Sequence, residues 1–131
     1  MPVAYDRDDQ RRLITVTASE PYSVDDIRGV VDRQAAEDTW GHAMLYDLRA
    51  VTHALTEGDL RHMADRVRAV GGGRARGPVG IVVGARPEMF RMGLMYAELT
   101  SKLENVEVSL TSAQLDAWLA RNARRGSSRQ P

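Results

Sequence analysis

Short β-favouring runs alternate with stretches of helical period along most of this chain, and no other feature limits its fold as much. Leu13 to Ser19, Ala43 to Tyr46, Val79 to Val83 and Val106 to Leu110 are too short for helices, and helical spacing of apolar residues follows each of them. A strand linked to the next by a helix runs parallel to it through a right-handed crossover. The alternation therefore predicts an α/β fold with a mostly parallel sheet.

Local chemistry marks the individual elements. Val3 to Asp6 and Leu13 to Ser19 flank the polar stretch Arg7 to Arg12, the pattern of an opening antiparallel hairpin. Ile14, Val16 and Ala18 alternate with Thr15, Thr17 and Ser19, which buries one face, and Pro21 ends the strand. Ser23 with Asp26 forms a capping box for a first helix carrying Ile27, Val30, Val31 and Ala35 inward, toward a stop near Gly41. Ala43 to Tyr46 is continuously apolar and reads as a strand covered on both faces, ending in Asp47.

After a polar loop from Leu48 to Leu55, Thr56 caps a second helix, with Glu57 and Asp59 complementing its dipole. Leu60, Met63, Ala64, Val67 and Val70 form its inward stripe, and Gly71, Gly72 and Gly73 stop it. Gly71 to Pro78 is expected to be a flexible loop. Pro87 suits the first turn of a third helix running to about Glu104 and stopped by Asn105. Val106, Val108 and Leu110 alternate with Glu107 and Ser109 as in a half-exposed strand near a sheet edge; Thr111 with Gln114 then caps a last helix docked by Leu115, Trp118 and Leu119. The order ββαβαβαβα gives about five strands and four helices, with the opening hairpin antiparallel and the later strands parallel.

At 131 residues the chain supports one core that hides roughly two-thirds of the unfolded surface, so a single domain over residues 1–123 is expected, followed by a disordered basic tail over 124–131. Lys+Arg and Asp+Glu both number 18, so no global field draws the protein to a polyanion and nucleic acid is disfavoured as a partner. The absence of cysteine excludes disulfides and thiolate metal sites and fits a reducing compartment. The opening MPVAYDRDD is no signal peptide and no apolar run approaches ~18 residues, so a cytoplasmic protein without stable membrane insertion is expected. His42, His53 and His62 share no metal-ligand spacing, and no metal or cofactor is expected.

The element order, with DLR at Asp47 to Arg49 ending the third strand and an AxxxxWL pattern at Ala113, Trp118 and Leu119, resembles the SpoIIAA-like branch of the STAS superfamily over about Val3 to Ala120. The resemblance implies a binding or regulatory role. Anti-sigma-factor antagonists of that superfamily carry a phosphorylatable serine just after an aspartate at this point, whereas here Leu48 and Arg49 follow Asp47 and the nearest hydroxyls are Thr52 and Thr56. A partner-switching phosphorylation cycle therefore does not carry over. A more distant likeness of such domains to CRAL-TRIO folds raises a second possibility, a small carrier of an apolar or lipid-like ligand.

Loops at the carboxyl ends of parallel strands are where ligands are held, and they would bring together Asp47, Arg49, Thr52, Thr56, Gly84 and Arg86. Arg49, Arg86 and the start of the third helix could hold an anion there; the alternative is that an arginine pairs with Asp47 and Thr56 serves only as a cap. The third helix has more apolar residues than one core stripe requires, and Met89, Met92, Met95 and Tyr96 form a candidate face for a partner or an apolar ligand. Ser101, Ser109 and Ser112 lack a nucleophile context, Asp25 and Asp26 are helix-start charges, and Arg74, Arg76 and Arg121 read as solvated. The resemblance implies a non-catalytic regulatory or protein-interaction module of SpoIIAA-like type, expected to form a homodimer and to contact partners through the loop Asp47 to Thr56 and the third helix. The other possibilities are the carrier and an enzyme using Asp47 and Arg49.

Overall fold

The computed structural model describes residues 3–128, with side chains over 3–121. Strands β1 (Val3–Asp8), β2 (Leu13–Ala18), β3 (Ala43–Asp47), β4 (Val79–Val82) and β5 (Val106–Ser109) form one sheet in the order β1-β2-β3-β4-β5. β1 runs antiparallel to β2 and every other neighbouring pair is parallel. Helices α1 (Val24–Ala36), α2 (Glu57–Gly71) and α3 (Pro87–Leu99) connect the parallel strands, and α4 (Ser112–Ser128) follows β5. This is the mixed α/β sheet and the ββαβαβαβα order that the alternation of patterns predicts.

The strand order advances in one direction without reversing, so three right-handed crossovers place α1, α2 and α3 on the same face of the sheet. Their inward residues, among them Val31, Leu60, Met63, Met89 and Met92, merge with Ile14, Val16, Met44 and Ile81 into the main core. α4 packs alone on the opposite face, where Leu115 and Trp118 meet Val82 in a smaller cluster. Its approach is close enough that a Cβ at Gly80 would collide with Leu115 Cδ1. Because α4 covers only part of that face, β4 is buried throughout while β3 buries only Met44 and Tyr46. The expectation that β3 is covered on both faces is thus corrected: with one helix on the back of the sheet, the strand farther from it stays half open.

The capping box of Ser23 with Asp26 forms, Thr56 forms one with Asp59, and Gly72 ends α2 in the left-handed conformation. At Thr111 only half of the expected box forms, since Thr111 Oγ1 accepts from the Gln114 amide at 3.3 Å while Gln114 Oε1 takes the Leu110 amide. α1 ends earlier than Gly41 would suggest. Asp38 turns left-handed (φ 59°), Thr39 bonds back to Gln34 O, and Trp40 is buried, donating from its indole to Arg74 O at 3.3 Å. α3 stops at Leu99 instead of reaching Glu104. The Thr100 hydroxyl donates to Tyr96 O at 2.9 Å, and the amides of Leu103 and Glu104 close a turn on Thr100 O.

That turn carries Glu104 inward to a charge at the centre of the protein. Arg76 Nη1 and Glu104 Oε2 pair at 2.9 Å with both side chains fully buried. Arg76 Nε donates to Gln34 Oε1 (2.8 Å), Nη2 donates to Tyr46 Oη (3.3 Å), and the guanidinium lies 5.1 Å from the centre of the Trp40 ring. The solvated loop expected around Arg74 and Arg76 is therefore anchored in the core at Arg76, and Arg74 bonds Gly71 O and Val70 O. Helix α4 continues to Ser128, into the stretch expected as a basic tail; side chains from residue 122 onward and residues 129–131 lie outside the described residues.

Candidate functional site

The segment from Leu48 to Thr56 leaves the carboxyl end of β3 and is fastened at three points. Arg49 Nε and Nη2 grip Asp47 Oδ1 and Oδ2 at 3.0 and 2.8 Å, and the Arg49 amide adds a third bond to Oδ1 at 3.1 Å. The hydrogen bonds from the Arg49 side chain hold the Asp47 carboxyl below the usual carboxylate range. Arg86 donates from Nη1 to Val51 O and, at 3.4 Å, to Arg49 O, so it clamps this loop. Gly84 has a positive φ of 73° and brings the β4–α3 turn against Arg49, whose Cγ would lie 3.7 Å from a Cβ there.

The third fastening is Glu20, in the loop after β2. The Thr52 amide and hydroxyl (both 2.6 Å), the His53 amide (3.2 Å) and His53 Nδ1 (2.9 Å) converge on Glu20 Oε1. The Thr52 hydroxyl and amide, helped by His53, push the Glu20 carboxyl from its ordinary 4.5 down to about 2. Tyr22 Oη donates to His53 O at 3.0 Å beside this cluster.

Of the six residues expected to meet, the structure brings Asp47, Arg49, Gly84 and Arg86 together. Thr52 belongs to the Glu20 cluster, and Thr56 Oγ1 accepts from the Asp59 amide at the start of α2. Arg49 pairs with Asp47, the simpler of the two sequence alternatives. In a sheet whose order never reverses there is no crevice between helices of opposite faces, so these loops form a bound rim. Glu20 and Tyr22 were not foreseen: one polar residue before a proline carries no sequence signal for a contact 32 positions away.

Beneath the rim, between the sheet and the three helices, lies an apolar cavity of about 50 Å³ lined by residues that include Tyr22, Tyr46, Leu55, Leu60, Met92 and Tyr96. The Leu55 amide donates to Met92 Sδ at 3.2 Å, tying the loop to α3. Burial raises the Tyr22 phenol to about 12, and burial followed by the Glu104 charge raises Tyr96 well above its ordinary value. Tyr96 Oη and Glu104 Oε1 are buried without a hydrogen-bond partner among the described residues. The four residues expected to form an apolar face on α3 separate: Met92 and Tyr96 line the cavity, Met89 is fully buried in the core, and Met95 is on the surface.

The surface itself carries Leu94 (49% exposed), Met95 (37%) and Leu110 (45%). Along the outer edge of β5 runs an open groove of about 410 Å³, with Phe90 of α3 on one side and Gln114, Trp118 and Arg121 of α4 on the other. Among the described residues no group of three or more His, Asp or Glu side chains is placed to hold a metal ion, and no helix is long and apolar enough to cross a membrane.

Fold and site together define a singly wound α/β domain with a fastened loop rim, a small apolar cavity and an apolar outer flank. Compared with family models, curated proteins and solved structures, the chain has no significant match.

Proposed function

We propose that this protein is a non-catalytic regulatory or protein-interaction module of SpoIIAA/STAS-like type that works in the cytoplasm, associates with protein, itself included, and contacts partners through α3 and the loop from Asp47 to Thr56. The observation that carries this reading is the division of α3: Met89, Met92, Gly93 and Tyr96 satisfy the core, which leaves Leu94 and Met95 as large apolar side chains turned to solvent. Large apolar side chains left exposed on a helix whose core stripe is already satisfied are suited to association, methionine adapting to irregular surfaces. The loop supports the reading because Glu20, Arg86 and the Asp47–Arg49 pair hold it in one shape, which lowers the ordering cost of binding. Asp47, the carboxylate an enzyme at this rim would use, already accepts three hydrogen bonds from Arg49.

A second reading, the apolar carrier, draws on the cavity beside Met92 and Tyr96. Its volume of about 50 Å³ is far below the roughly 300 Å³ or more of ligand pockets, so the helices would have to part to admit a lipid. Native mass spectrometry of freshly purified protein compares the two. The interaction module is expected to show protein–protein complexes without small-molecule mass, and Leu94→Glu/Met95→Glu is expected to lose them. A retained apolar molecule, or identical spectra for wild type and variant, would overturn the proposal.

A further inference from the structure

The two edges of the sheet are built differently. β1 ends one side and carries Asp6, Arg7 and Asp8, with Arg7 paired to Asp9 and Glu37. Charges along an outer strand discourage further strand pairing. β5 ends the other side with Glu107 as its one charged residue.

The ladder between β4 and β5 also fixes which backbone groups of β5 face outward. Val79 and Val83 amides donate to the carbonyls of Asn105 and Ser109, so the odd-numbered residues of β5 turn their backbone groups toward β4. The N–H and C=O groups of Val106 and Val108 therefore point away from the sheet, where no strand lies beside them among the described residues. The Leu110 amide, next in that row, is taken by Gln114 Oε1 at 3.2 Å, which leaves a short open segment centred on Val108.

Both flanks of this segment are suited to a copy of the same surface. On one face, helical phase puts Phe90 and Leu94 on the side of α3 nearest β5, with Leu94 half exposed. On the other face, Glu107 and Arg121 line the groove, and neither belongs to an ion pair among the described residues. A twofold axis perpendicular to the sheet runs two β5 strands antiparallel and keeps each α4 on the same face as its copy. Glu107 of one molecule then approaches Arg121 of the other, twice, while the Leu94 flanks meet on the opposite face. Opposite charges on one patch are what a self-complementary interface requires, and the formal net charge of zero removes long-range repulsion between copies.

We infer that the β5 edge groove is a homodimer interface in which two copies join their sheets through Val106 to Val108 and exchange Glu107–Arg121 pairs. This rests on the interaction reading above and specifies its surface and its occupant.

The test is sedimentation velocity of the full chain at micromolar concentrations and low salt, with amide exchange followed on the same samples. Wild type is expected to dimerise, and the Val106 and Val108 amides to slow as the dimer fills. Glu107→Arg and Arg121→Glu, surface changes that leave the core untouched, should each raise the dimer dissociation constant by about tenfold or more. The combined swap should restore it. A wild type that stays monomeric, a dimer indifferent to Glu107→Arg, or a double swap no better than either single change overturns the inference. Association lost in Leu94→Glu/Met95→Glu but kept in Glu107→Arg would remove the edge alone and leave the interaction reading standing.

Discussion

Single residues decide most of what is fixed in this protein, and Arg76 decides the most. It is one of 18 basic residues by composition, yet its side chain is fully buried against Glu104, with Gln34 and Tyr46 taking its other donors. Removing one member of a buried ion pair leaves an uncompensated charge, so Arg76→Met is expected to destabilise the fold by about 3–5 kcal/mol in urea titration. Arg76→Met/Glu104→Leu should recover most of that loss, because the stranded carboxylate is gone. A double variant as unstable as the single one would show that the geometry of the pair, and not its charge balance, is what the fold needs. Nothing in the sequence separates Arg76 from Arg74, since both follow three glycines; only the tertiary turn that ends α3 at Leu99 brings Glu104 within reach. Glu20 is an exposed counterpart. Its carboxyl titrates near 2 in the folded protein against an ordinary 4.5, so its contribution is fully present above about pH 4.5 and is lost as pH falls toward 2. Exchange of amides in the loop from Leu48 to Leu55 should rise over that interval, and Glu20→Gln should raise it already at neutral pH; a loop equally protected in the variant would mean that Arg86 alone holds it.

At the scale of elements, the chain was legible wherever two local signals coincided. Ser23 with Asp26 and Thr56 with Asp59 begin α1 and α2 where the capping residues put them, and Gly72 ends α2. The ends of α1 and α3 were not legible, because Trp40 and Leu103 continue a helical apolar pattern while packing into the core from turns. The candidate rim was half legible for a related reason: Asp47, Arg49, Gly84 and Arg86 follow from strand ends, while Glu20 requires knowing that β2 and β3 are neighbours. Helix α4 offers a clean test of element packing. Leu115 fills the space a side chain at residue 80 would occupy, so Gly80→Ala should cost about 1–3 kcal/mol by overpacking and should loosen α4 before the rest of the molecule. Hydrogen exchange localised to α4 would show this, and an unchanged melting transition would refute it.

For the molecule as a whole, the placement of three helices on one face and one on the other sets what it can bind. The single-helix back leaves the β5 edge and its flanks open, whereas the three-helix front holds only the small cavity at Met92. Whether that front is a container is decided by volume. An apolar cavity of about 50 Å³ is roughly a third of the ~150 Å³ that admits benzene in an engineered protein core, so benzene should not shift the wild-type melting temperature. Met92→Ala deletes a buried side chain at the cavity wall and should destabilise by about 2–5 kcal/mol. Part of that loss should return when benzene is added, because the enlarged space then meets the size at which apolar ligands bind. If instead the wild type is stabilised by benzene or by longer hydrocarbons, the helices open more readily than their packing implies. The front would then be the working surface, and the exposed flank of α3 would serve to open it.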